Sequence, residues 1–222
     1  MSLGALPAQL ITLPGVYRPQ TDTLLLAQAL SRERMEPDAE VLDIGTGTGA
    51  LALAAARSGG RVTAVDVSWP AAIAARLNAF RQGLPLRVVH GDFVTRTRGR
   101  RFDIVLANPP YVPSARARPP SHGAARAWDA GSDGRAVIDR ICASVPALLR
   151  PGGVLLMVHS GMCGPGVTVT RLAAAGLSAR VAARARVPWG PVLRARRDWL
   201  QAQGLADGDE HEELVIIRAE YV

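Results

Sequence analysis

Lysine is absent from the 222-residue chain, and all 26 of its basic residues are arginine. Against 19 acidic residues this gives a formal net charge of +7, a balance that suggests a nucleic-acid partner. Total replacement of lysine in an alanine-rich chain is, however, the mark of coding bias in a GC-rich genome. Where the arginines fall is therefore more informative than how many there are. Cysteine is nearly absent. Cys142 and Cys163 have no metal-type spacing, and one bridge is not expected in a cytoplasmic protein. The histidines His90, His122, His159 and His211 are scattered, so no metal site is expected. Long apolar runs are missing as well. The longest lies near Gly49 to Ala56, well short of the roughly 18 to 20 residues of a membrane helix, and no membrane contact is expected. Met1 to Gly15 has no basic start and no clear cleavage site, which argues against a signal peptide and for a cytoplasmic location.

What is present suffices for a full core. Hydrophobic residues make up 48%. The length fits one domain with a small extension: an N-terminal segment and helix over 1–36, and the main domain over 37–222. Thr21 or Asp22 is placed to cap a helix whose apolar face is Leu24, Leu25, Leu26 and Leu30. After Glu36-Pro37-Asp38, short apolar runs alternate with helical patterns. Strands are expected at Val41 to Ile44, Arg61 to Val65, Leu86 to His90, Phe102 to Ala107 and Val154 to Val158. Helices are expected at Ala50 to Ala56, at Ala71 to Gln82 with Ile73, Leu77 and Phe80 in helical spacing, and through Val137 to Leu149. Ser132 or Asp133 would cap the last of these, and Pro151-Gly152-Gly153 would stop it. A glycine-rich loop from Gly161 to Gly166 and a short helix near Val167 to Ala175 follow. Strands at Ala179 to Val187 and Leu214 to Ala219 finish the chain, with the acidic stretch Asp207 to Glu213 as a solvated turn between them. This alternation predicts an α/β fold with a mostly parallel sheet covered on both faces.

In such sheets ligands bind outside the carboxyl ends of the strands. Four features fall there. The turn Gly45-Thr46-Gly47-Thr48-Gly49 follows the first strand, which carries Asp43. Its Gly-x-Gly-x-Gly spacing differs from the Gly-x-Gly-x-x-Gly that seats a dinucleotide pyrophosphate, which disfavours a nicotinamide enzyme. Asp66 closes the second strand, where a carboxylate can hold ribose hydroxyls. Asp92 and Phe93 follow the third, placed to hold an adenine. Asn108-Pro109-Pro110-Tyr111 ends the fourth. Proline restricts the residue before it to extended conformations, so an amide oxygen and a backbone carbonyl stand beside an aromatic ring. That set fits a planar NH2 group.

The combination of Val41 to Gly49, Asp66, Asp92 and Asn108-Pro-Pro-Tyr resembles class I S-adenosylmethionine-dependent methyltransferases that methylate amino groups. More narrowly, it is similar to the HemK family of protein glutamine methyltransferases. Gly15-Val-Tyr-Arg-Pro-Gln-Thr-Asp-Thr-Leu-Leu, Val112-Pro113 and Ala130-Gly-Ser-Asp-Gly-Arg through Leu149-Arg-Pro-Gly-Gly carry the likeness onward. The resemblance implies a Rossmann-like, doubly wound, seven-stranded and mostly parallel sheet with its last strand antiparallel. It implies S-adenosyl-L-methionine as cofactor, S-adenosyl-L-homocysteine as product, and the glutamine of a release-factor Gly-Gly-Gln loop as acceptor. Cofactor contacts would come from Thr23, Asp43, Gly45, Thr46, Gly47, Gly49, Asp66, Val67, Asp92, Phe93 and Asn108. Catalysis would rest on Asn108, Pro109 and Tyr111, with no metal. The match is to the short branch without an N-terminal helical domain, whose eukaryotic form works with a small zinc-binding partner that this sequence does not itself reveal. The family commonly has proline directly after the serine of Asp66-Val67-Ser68; here Trp69 intervenes.

An adenine-specific DNA or RNA N-methyltransferase is the alternative, since the same acceptors fit an exocyclic amine. Against DNA, no region for target recognition is evident beyond the insert Pro113 to Ser132. Intact Asn108 and Tyr111 argue against a non-catalytic cofactor-binding subunit. Arg96, Arg98, Arg100, Arg101, Arg116, Arg118 and Arg126 flank the motif, with Asp103 the only acid between the first and last. They are expected to form a patch that attracts RNA or the ribosomal surroundings of a protein substrate.

Overall fold

A computed structural model describes residues 9–206 and 208–222. Residues 1–8 of the N-terminal stretch Met1 to Gly15, and Asp207 of the acidic stretch, lie outside the described residues. Helix α1 (Thr21–Leu30) leads into an alternation of β1 (Glu40–Ile44), α2 (Ala50–Arg57), β2 (Arg61–Asp66), α3 (Trp69–Arg81), β3 (Leu86–His90), the single turn α4 (Phe93–Arg96) and β4 (Phe102–Ala107). Then come α5 (Ala136–Leu148), β5 (Leu149–Ser160), α6 (Pro165–Ala174), β6 (Leu177–Pro188), α7 (Pro191–Ala195), α8 (Arg197–Ala202) and β7 (His211–Tyr221). The seven strands lie in the order β3-β2-β1-β4-β5-β7-β6. Strands β1 to β5 pair in parallel, and β7 runs antiparallel to both β5 and β6.

The central strands are buried on both faces, which is why they read as unbroken apolar runs rather than alternating ones. One face packs Phe102, Val105, Leu155 and Met157 against Ile138, Ile141 and Val145 of α5 and Leu172 of α6. The other packs Val41, Ile104, Leu106 and Leu156 against Leu26 and Leu30 of α1 and Leu51 and Ala55 of α2. Each large side chain so enclosed contributes about 1.5–3 kcal/mol. Helix α1 is thereby fixed to the sheet, and this places its first turn at the carboxyl ends of β4 and β5.

The structure departs from the sequence reading at several points. Neither Thr21 nor Asp22 caps α1; Gln20 is the N-cap residue and makes no side-chain cap. Arg135 precedes α5, and Asp133 Oδ1 instead accepts from the Arg135 amide at 2.9 Å. Pro151-Gly152-Gly153 does not separate helix from strand but lies within β5. A Cβ on Gly153 would come 2.9 Å from the Phe102 carbonyl, so glycine lets β4 and β5 close there. The acidic stretch is not wholly a solvated turn, because β7 already begins at His211 and Glu212 is half-buried. The segment between β6 and β7 holds α7 and α8, whose Leu193 and Leu200 pack with Trp189 as a separate small core.

Candidate active site

The carboxyl ends of β1 to β4 open into a cavity of 930 Å³. Gly45, Gly47 and Gly49 have φ of +69°, +55° and +83°, a conformation that favours glycine. A Cβ on Gly45 would meet nothing, because the space beside it is the cavity. One on Gly49 would lie 3.2 Å from Ala75, so there glycine also allows α2 to start against α3. Asp66 is held by the Gly47 amide at 2.9 Å and the Ser68 amide at 2.8 Å. Burial raises its pKa, and those two amides work against the shift. Each oxygen takes one bond here, so each keeps an acceptor site for a ribose hydroxyl.

Asp43 is buried beneath the turn and does not reach the cavity wall. Its Oδ2 accepts from Thr46 Oγ1 at 2.6 Å and its Oδ1 has no partner. Burial pushes its carboxyl up to about 6, with hydrogen bonds from Thr46 and the Ala52 amide opposing. Asp43 therefore supports Thr46, which does line the cavity, as do Gly45, Gly47, Asp66 and Val67. Asp92 and Phe93 line it too, but the Asp92 carboxylate is already engaged. Its Oδ1 caps α4 at the Thr95 amide (3.2 Å) and its Oδ2 pairs with Arg140 at 2.6 Å. Arg140 also lies 5.1 Å from the centre of the Phe93 ring. Trp69 stacks on His90 with centroids 3.9 Å apart at the rim.

The Asn-Pro-Pro-Tyr motif sits at the mouth of β4, facing α1. Asn108 Nδ2 donates to Thr23 Oγ1 at 3.3 Å, and Thr23 Oγ1 donates to Asp22 Oδ1 at 3.0 Å. Asp22 Oδ2 accepts from Tyr17 Oη at 2.9 Å and Tyr111 Oη at 3.1 Å. Among the described residues no hydrogen bond uses Asn108 Oδ1 or the Pro109 carbonyl, so both acceptors remain free. Both tyrosines are held firmly as phenols: burial comes first, and the neighbouring Asp22 carboxylate raises them further. Asp22, 3% exposed, has no cation beside it among the described residues and is held by these hydroxyls and the Thr23 amide. Beyond Asp22 lies Glu212 of β7, pushed up to about 7 by burial and by the Asp22 charge, with a hydrogen bond to Ser160 opposing.

Residues that sequence reasoning left aside thus complete the site: Asp22 and Tyr17 as a hydrogen-bond hub, Arg140 against Asp92, and Glu212. Gly134 is another. At φ +71°, a Cβ on it would lie 2.4 Å from the Tyr111 carbonyl, so the Gly-Ser-Asp-Gly-Arg stretch is the seat of the motif. The cue was the stretch Gly15 to Thr23, in which Tyr17 stands in the extended entry to α1 and Asp22 in its first turn. The seven flanking arginines do not form one patch. Arg100 pairs with Glu40 at the amino end of β1, and Arg101 donates to the Leu149 carbonyl at the amino end of β5. Arg126 lines the cavity at the opposite end of the sheet, and Arg116 and Arg118 are exposed on the loop that leads to it. No group of three His, Cys, Asp or Glu side chains among the described residues could hold a metal ion. No described helix is long and apolar enough to cross a membrane.

A doubly wound seven-stranded sheet with this glycine turn, strand-end carboxylate and Asn-Pro-Pro-Tyr defines a class I methyltransferase. The profile of the methyltransferase small domain family matches residues 7–172, and the chain belongs to that family. A protein of Methanocaldococcus jannaschii assigned as a protein N5-glutamine methyltransferase is 32% identical over 81% of this chain and 90% of its own length. A release factor glutamine methyltransferase of Gloeobacter violaceus is 39% identical over 72% of this chain but only 58% of its own. The chain thus spans little more than half of the bacterial relatives it matches. Among solved structures, the Mtq2-Trm112 complex of E. cuniculi, responsible for methylation of the termination factor eRF1, has a TM-score of 0.64 at 23% identity, covering 94% of this chain and 99% of that one. The T. thermophilus 16S rRNA N2 G1207 methyltransferase, in complex with AdoMet and guanosine, has a TM-score of 0.61 at 24% identity over 95% of this chain and 46% of that one. S-Adenosylmethionine is the cofactor of this class, and the residues present fit it: an unobstructed glycine turn, and a ribose-type carboxylate with acceptor sites to spare.

Proposed function

We propose that the protein methylates the side-chain amide nitrogen of glutamine in the Gly-Gly-Gln loop of a peptide-release factor. The observation that carries this is the orientation of Asn108. With its Nδ2 bound to Thr23, its Oδ1 and the Pro109 carbonyl accept the two N–H groups of a planar NH2. When bound, S-adenosylmethionine supplies an electrophilic methyl group on a sulfonium. An amide nitrogen is a poor nucleophile because its lone pair is delocalised. Asn108 and Pro109 draw the hydrogens to one side and aim the lone pair at the cofactor pocket. Orientation of this kind is worth up to about 7–11 kcal/mol in the best intramolecular cases. The Tyr111 ring packs beside the planar group, and the released proton leaves through water. Gly45, Gly47, Thr46, Asp66 and Val67 hold the ribose and amino-acid portions, and Phe93 flanks the adenine. Gly49 and Asp43 act by shaping the turn.

The surface supports two partners. Arg116, Arg118 and Arg126, on the loop beside the cavity, meet the RNA or ribosomal surroundings of a release factor. Trp69, Ile73, Leu77 and Phe80 form an exposed apolar stripe along α3, 57%, 43%, 41% and 87% accessible, next to the edge strand β3. A stripe of this size suits a small partner protein, and the E. cuniculi neighbour is itself in complex with Trm112.

Labelled methyl transfer from S-adenosylmethionine to matched pools of release factor, ribosomal RNA and DNA tests the reading. Label is expected on the release-factor glutamine, and Asn108→Ala should lower it sharply, to a residual rate, while cofactor affinity is kept. Label on adenine instead would assign the NH2 acceptor to a base.

A further inference from the structure

An asparagine amide is nearly symmetric in shape but opposite in polarity at its two ends. If Asn108 turned over, its NH2 would face the substrate NH2, donor against donor, and the site would be silenced. Something must hold the amide the right way round. Thr23 is the atom-level contact: its Oγ1 receives Asn108 Nδ2 at 3.3 Å. A threonine hydroxyl, however, can either donate or accept. Its single hydrogen decides which.

Here that hydrogen is spoken for. Thr23 Oγ1 donates to Asp22 Oδ1 at 3.0 Å, and an ionised carboxylate can only accept. With its proton committed, Thr23 presents only lone pairs to Asn108, and only the NH2 end of the amide can meet it. Asp22 is in turn fixed by the Thr23 amide at 2.6 Å and by the two phenols, which exhaust the donors around it. Asp22 and Thr23 are 3% and 4% exposed, so little water reaches these bonds. We infer that Asp22 and Thr23 are positioning residues that set the polarity of the acceptor site: the chain Asp22, Thr23, Asn108 locks Oδ1 toward the substrate. The same carboxylate holds the Tyr111 hydroxyl, so one buried charge orients both side chains of the motif.

The inference rests on the NH2-acceptor reading of Asn108, and its test separates the two. Asp22→Ala removes the acceptor that holds the threonine proton, which is then free to point at Asn108. Thr23→Val keeps the shape and removes the hydroxyl. Both are expected to lower kcat about 30-fold or more with KM for S-adenosylmethionine little changed, and Thr23→Val also with the melting temperature little changed. Thr23→Ser is expected to recover at least tenfold of the Thr23→Val loss. In an Asn108→Ala background, Thr23→Val should cost nothing further, because the amide it orients is gone. A full additional loss there would mean that Thr23 acts by another route and would overturn the lock. A substrate-free arm uses the fact that Asn78 and Asn108 are the only asparagines in the chain. With 15N-asparagine label, exchange of the Asn108 side-chain NH2 should be slowed in the wild type and accelerated at least fivefold by Thr23→Val, with Asn78 as internal reference. Equal exchange rates in the two proteins would sink the inference even if methyl transfer to glutamine is found. If the wild type labels adenine rather than glutamine, the proposed substrate fails while the lock is read on that acceptor.

Discussion

Asp22 and Glu212 show how a single residue's meaning depends on what surrounds it. Each reads as an ordinary polar position, one in a helix-capping context and the other within a run of acids. In the fold they approach one another behind Tyr111, and Glu212 Oε2 is shut off from solvent without a partner. Burial and the Asp22 charge raise the Glu212 carboxyl from 4.5 to about 7. Between those two values the folded protein holds a proton that the unfolded chain has lost. The contribution of Glu212 to stability therefore falls as pH rises through this window and is flat outside it. The full shift corresponds to about 3 kcal/mol at most. Glu212→Gln, which cannot ionise, should be more stable than the wild type at pH 8 and no more stable at pH 4. Thermal melts of both proteins from pH 4 to pH 8 check this, and parallel curves would contradict it.

At the scale of elements, the legible parts were those with a strong local signal. Strands β1, β2 and β4, buried on both faces, stand out as apolar runs, and glycine or proline ends β1 and β4 sharply. The glycine turn, Asp66 and Asn108 could be placed because strand ends in a parallel sheet share one edge. The caps were not legible, since capping and site residues draw on the same Asp and Thr, and only tertiary contacts decide between them. Nor was the orientation of α3. Ile73, Leu77 and Phe80 give the helix its period, but the face that packs on the sheet is Ala71, Ala72, Ala75 and Ala79, with Asn78. Small residues let α3 lie close to the sheet, and the bulky stripe is left outward. Periodicity locates a helix without saying which of two apolar faces is the inner one. Ile73→Ser with Phe80→Ser should therefore shift the melting temperature little, as for surface changes within about ±0.5 kcal/mol. A melting point lowered by the amount typical of core truncation would place the stripe inside.

Over the whole molecule, the charge of +7 resolves into arginines with different tasks. Arg196 pairs with the buried Asp129 at 2.6 Å and donates to the Pro113 carbonyl at 2.9 Å, clasping both ends of the loop beside the cavity. Arg218 joins Glu33 to Glu220, and Arg150 holds Asp103. These substitute for what lysine would do less rigidly, since the guanidinium fork spans two partners. Arg98, Arg116 and Arg118 form no ion pair among the described residues, and the last two stand on the cavity loop. If coding bias alone explained them, the three would be equivalent. Contact with a polyanion during substrate capture makes them unequal, because screening leaves a reach of only about 8 Å at physiological ionic strength. Arg116→Ala with Arg118→Ala should raise KM for the macromolecular substrate several-fold at low salt and flatten its salt dependence. Arg98→Ala, on the turn before β4, should leave both unchanged. Steady-state kinetics between 20 and 300 mM salt, over which the Debye length shrinks from about 20 Å to about 6 Å, separate the cases, and equal salt slopes for all three proteins would return the arginines to composition alone.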